Sequence, residues 1–107
     1  MNNRTDLAEK MEVIGQIFEI DGMDTLLGKY ESGMPMVKFN AVTIQVSGLL
    51  LRKNKSLADR IVAMSLEEDI EKIQEMDDAE YANALKTAII RDVMGFFASS
   101  PHTDGQK

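Results

Sequence analysis

Between Pro35 and Leu51 the chain runs for 17 residues with no turn signal, PMVKFNAVTIQVSGLLL. This run is long for a strand, and apolar residues fill more than half of it, so it predicts one long buried helix. Pro35 suits the first turn, because the N–H that proline lacks would be unpaired there anyway. Gly48 would let a neighbouring helix approach closely. The run is also rich in β-branched residues (Val37, Val42, Thr43, Ile44 and Val46), so strands over 36–47 are the competing reading.

The flanking segments read as amphipathic helices. From Asp6 to Ile20, Leu7, Met11, Ile14 and Phe18 form one stripe, with Val13 and Ile17 beside it and Glu9, Glu12, Gln16 and Glu19 opposite. Asp6 can cap this helix with Glu9 as its box partner. A strand at Ile17–Ile20 turning at Asp21-Gly22 is the alternative, which leaves 17–30 open between helix and hairpin. A short helix from Met23 to Tyr30 ends at Glu31-Ser32-Gly33. Ser56 and Asp59 read as cap and partner for a helix over Leu57–Met64. Ser65 and Glu68 read as a capping box opening Leu66–Met76, and Asp77 and Glu80 as the same device opening the last helix.

That last helix is expected to run to about Ala98, with Tyr81, Leu85, Ala88, Ile89, Val93 and Phe96 as its core stripe and Glu80, Asn83, Thr87 and Arg91 as its polar face. Ile90, Met94 and Phe97 widen the apolar arc. Beyond Ala98 the sequence SSPHTDGQK is small and polar, the composition of a flexible, disordered tail. The expected fold is therefore all-α: a compact bundle of about five helices in a single domain over 1–98, the last helix central, with a tail over 99–107. An α+β fold with a small N-terminal hairpin is the alternative.

Composition narrows the function. A chain of 107 residues can bury roughly two-thirds of its unfolded surface, enough for one modest core. It has no cysteine, hence no disulfide or thiolate metal site, which fits a reducing compartment. No apolar run approaches the ~20 residues of a membrane span, and MNNRTDLAEK has no apolar signal-peptide core, so a cytoplasmic protein without membrane contact is expected. The net charge of −6 is uneven: residues 65–80 hold eight acids and one base, and the remainder is close to neutral. Arg52-Lys53-Asn54-Lys55 is the one basic cluster, too short for a nucleic-acid footprint and well explained as a solvated turn. Eight methionines suit either an adaptable binding surface or ordinary gap-filling.

Catalysis finds no constellation. The single His102 falls in the expected tail, with no rigid shell to position it. Asp21-Gly22-Met23-Asp24 lacks the acid order of a calcium loop, and Asp77, Asp78 and Glu80 are explained as a helix start favoured by the macrodipole. No phosphate-cradling glycine loop or nucleophile elbow occurs. The chain is expected to be no enzyme and to need no metal or cofactor. What remains is apolar surface beyond what a small core can hide, the usual mark of a partner site. Phe96 is expected to plug the core; Phe97 suits core or partner equally.

The segments SLEEDIEKIQEMDDAEY and NALKTAIIRDVMGFFASSP, with the polar end that follows, resemble the small tail assembly chaperones of long-tailed bacteriophages and prophages. The resemblance covers roughly residues 60–107 and rests on an I-x-x-M-D-x-x-E-Y step into the last helix, then Phe96-Phe97 and a short Ser/Pro-rich end. Many members open with strands of an F-x-I-x-G kind; FEIDG ending at Gly22 matches that string but sits inside a helical pattern. The resemblance implies a chaperone that coats the tape-measure protein in the host cytoplasm, keeps its apolar helical segments soluble, helps recruit tail-tube subunits and is left out of the virion. It also implies that a longer form can arise by frameshifting near the C-terminus. The candidate protein-binding residues are Ile90, Met94 and Phe97. A homo-oligomeric helical structural or regulatory module without a client is the alternative.

Overall fold

A computed structural model describes residues 4–95, and among these the chain forms six helices. They are α1 (Arg4–Phe18), α2 (Met23–Leu27), α3 (Met36–Lys53), α4 (Lys55–Leu66), α5 (Ile70–Gln74) and α6 (Asp78–Ala88), the last continued by a π turn over Ile89–Val93. The fold is all-α, and no strand occurs among the described residues. The two ambiguous stretches, 17–30 and 36–47, contain no strand: the first is helix, turn and bend, the second all helix. Phe96, Phe97, His102 and the expected tail lie outside the described residues.

Two helix starts differ from expectation, and local hydrogen bonding explains both. Asn54, not Ser56, caps α4: its side-chain oxygen accepts from the Leu57 N–H at 3.2 Å. Asparagine caps as well as serine does, and the helix that follows buries Leu57, Ala58, Ile61 and Val62. The expected box at Ser65 does not form. Ser65 is still inside α4, which closes only at Glu67, in the left-handed conformation at φ 57°. There the Glu68 N–H reaches back to the Ala63 carbonyl at 3.0 Å, the six-residue bond of a Schellman close. The third device forms as read. Asp77 accepts from the Glu80 N–H at 2.8 Å, and Glu80 accepts in return from the Asp77 N–H at 3.5 Å. Similarly, α1 already includes Arg4, so Asp6 lies within its first turn rather than capping it.

The core centres on α4, which packs against α1, α3, α5 and α6, where the last helix had been expected at the centre. The reason is the width of its apolar arc: adjacent pairs Leu57-Ala58 and Ile61-Val62 are all buried, so α4 meets neighbours on several sides. The last helix packs on α4 and α3 through Leu85, Ala88, Ile89 and Val93, the stripe read from the sequence. On α1 the buried row is Val13, Ile14 and Ile17, while Leu7 and Met11 are exposed. The core row thus joins Ile14 of the expected stripe to the flanking Val13 and Ile17, with Phe18 half-buried beside them, because contact with α4 and α2 selects that side. Gly22, at φ 90°, supplies the left-handed turn between α1 and α2 that a side chain would strain.

Two buried polar groups stitch helices together. Asp59, 4 % exposed, accepts from the Tyr81 hydroxyl at 2.7 Å and from Lys55 Nζ at 3.1 Å, joining α4 to α6. Thr43 donates to the Phe39 carbonyl at 2.9 Å, so the Tyr30 hydroxyl, 2.6 Å away, donates to Thr43 Oγ1. That bond pins the segment after α2 against α3, where Tyr30 also packs on Phe39 at a centroid distance of 5.2 Å.

Candidate protein-binding surface

The sequence singles out Ile90, Met94 and Phe97 for partner contact. Ile90 is exposed, 39 % of its surface remaining open. Met94 is half-buried and packs against the core. Phe97 lies outside the described residues. The two described residues do not form one outward row, and the π turn explains why. The Met94 N–H bonds to the Ile89 carbonyl, five residues back, so the turn holds an extra residue and the i, i+4 register of an ordinary helix is lost. The same turn brings Asp92 to Lys10 of α1 at 3.4 Å, an ion pair across the fold that its sequence spacing does not announce.

A second apolar surface is larger and lies on α3. Instead of the wholly buried helix expected over 35–51, α3 is buried on one side only. Its inner row is Val42, Val46 and Leu50, with Thr43 and Ser47 satisfied by hydrogen bonds to carbonyls four residues back. Its outer row is Val37, Ala41, Ile44, Gly48 and Leu51, every one exposed. Val37 keeps 79 % and Ile44 56 % of their surface open. The outer spacing of four, three, four and three residues is the seam pattern of one helix meeting another. Gly48 has open space where a side chain would be, so the close approach it permits is unused among the described residues.

Charge divides along the same helix. The 18 residues of α3 include no acid, whereas the whole chain carries −6. Lys38, Gln45 and Arg52 recur every seventh residue beside the outer row, and Lys29 reaches Gln45 Oε1 at 3.5 Å, adding a cation to that edge. Among the described residues Lys38, Arg52 and Lys53 join no ion pair, unlike Lys10, Lys55, Arg60 and Lys72. The sequence reading missed this face because it treated an apolar run as uniformly buried. The signal was present in the 4-3-4-3 positions opposite the row that packs inward.

No group of three or more His, Cys, Asp or Glu residues is arranged to hold a metal ion among the described residues. Among the described residues no helix is long and apolar enough to cross a membrane. Tyr81 is pushed above the ordinary tyrosine range by burial, reinforced by its bond to the Asp59 carboxylate, and Tyr30 is raised by burial. Both shifts belong to structural contacts between helices. Comparison with protein-family models, curated proteins and solved structures returns no match.

Proposed function

We propose that this chain is a tail assembly chaperone of a long-tailed bacteriophage or prophage. It binds apolar helical segments of the tape-measure protein in the host cytoplasm, keeps them soluble, helps recruit tail-tube subunits and does not enter the virion. The observation that carries the reading is the exposed apolar row of α3, backed by the resemblance of residues 60–107 to that group. A helix whose inner face already completes a core has no folding reason to keep valine, isoleucine and leucine on its outer face, and such faces on soluble proteins serve partners. The acidic band over 65–80 would keep a crowded complex soluble.

Co-expression tests this directly. Tape-measure fragments that precipitate alone should stay soluble and co-purify with this chain. If every fragment stays insoluble beside a well-folded chain, the chaperone reading falls. A chain that elutes as a stable oligomer and takes up no fragment would instead be a homo-oligomeric module.

A further inference from the structure

We infer that the outer face of α3 is a docking groove for an acidic amphipathic helix, a proposal that rests on the partner-binding reading above and names the chemistry of the partner. The row Val37, Ala41, Ile44, Gly48 and Leu51 gives such a helix a seam of alternating large and small side chains. Gln45, Gly48, Leu49, Arg52 and Lys53 line a shallow depression, so a side chain of the docked helix seats over Gly48 between the apolar row and the cations. The seam from Val37 to Leu51 is about 21 Å long at 1.5 Å per residue, which fits an occupant of about four turns.

Charge decides the occupant. Lys38 and Arg52 sit at equivalent seam-flanking positions, with Lys29 held between them at Gln45. A second copy packed antiparallel about Ile44 would set Lys38 of each chain against Arg52 of the other, like charges at both ends. A parallel copy would leave the same cations unneutralised, because α3 has no acid to offer. A helix with apolar residues at three- and four-residue spacing and glutamates along one edge at seven-residue spacing satisfies the seam and the cations together.

The test uses the intact chain and two labelled peptides of about four turns. One has the leucine seam with flanking glutamates; its twin has each of those glutamates replaced by lysine. Fluorescence anisotropy at low and moderate salt should show the acidic peptide binding at least tenfold more tightly than the twin, with the advantage shrinking as salt rises. Ile44→Glu should abolish binding while the circular dichroism melt is unchanged, since Ile44 is outside the core. Lys38→Glu combined with Arg52→Glu should reverse the preference between the peptides. Equal binding of both peptides, or binding unaffected by Ile44→Glu, overturns the proposal. So does a wild-type dimer that Ile44→Glu converts to monomer, which would make the face a self-interface. If tape-measure fragments still co-purify with the Ile44→Glu chain, the groove is wrong and the chaperone reading survives. If the acidic peptide binds as described and no tape-measure fragment does, the groove stands and the chaperone reading falls.

Discussion

Helices α3 and α4 are consecutive, separated by Asn54 alone, and pack on each other, yet they treat their apolar residues in opposite ways. On α4 Leu57, Ile61 and Val62 are enclosed, and the one buried acid, Asp59, has both oxygens bonded. On α3 a similar aliphatic supply is divided between an inner row and an outer row on opposite sides. Both helices have several neighbours, but those of α4 enclose a wide arc whereas those of α3 all lie on its inner side. A helix enclosed on several sides puts its hydrophobic residues into the core; one packed on a single side completes the core with that face and leaves the other open.

Truncation breaks this comparison most sharply. Ile61→Ala should cost about 2–5 kcal/mol, because Ile61 is fully buried in the core around α4 and its truncation opens a cavity there. Ile44→Ala should stay within about 0.5 kcal/mol of wild type. Chemical denaturation of both variants measures the contrast, and a large loss at Ile44 would mean that the outer row is covered in the free protein. The Asp59–Tyr81 bond comes next. Asp59→Ala should cost about 1–3 kcal/mol by leaving the Tyr81 hydroxyl without its acceptor. In a double-mutant cycle with Tyr81→Phe the double variant should cost less than the two single variants added together; additive effects would show that the bond contributes nothing of its own.

The pH dependence sharpens the same contact. Tyr81 is raised in the folded state, so its unfolded form loses a proton first, near pH 10. The stability linked to this group is fully present below about pH 10 and is lost as pH rises toward the folded value. Tyr30 adds to the loss with the same sign. Denaturation midpoints measured from pH 8.5 upward should fall less steeply in Tyr81→Phe than in wild type, about as far as pH 11; identical slopes would rule the linkage out. The smallest effect is expected at the end of α4. Glu67 has a φ of 57°, where a side chain crowds its own backbone, so Glu67→Gly should stabilise by about 0.5–1 kcal/mol. A loss of stability would show that the Glu67 side chain makes a contact worth more than the relieved strain.

Much of this was legible in the chain. Asp77 and Glu80 cap α6 because both halves of the motif lie within one turn and depend on nothing distant. Leu85, Ala88, Ile89 and Val93 read correctly as core because a single helical period fixes their common face. The caps at Ser56 and Ser65 were misread because several polar residues compete within each turn. The choice among them depends on which register buries Leu57, Ala58, Ile61 and Val62, and that is settled by the neighbouring helices. Of the candidate binding residues, Ile90 reads as exposed, whereas Met94 departs from its row because a π turn leaves no local signature in IIRDV.

Helical periods and capping residues are local, since they depend on spacings of three or four residues and on bonds within one turn. The residues alone therefore favoured an all-α chain and gave the approximate extents of its long helices. Which of two apolar faces is buried is a different kind of question, because both rows of α3 satisfy the same helical period. Only the packing of α2, α4 and α6 against Val42, Val46 and Leu50 selected the inner row and left Val37, Ile44 and Leu51 facing water.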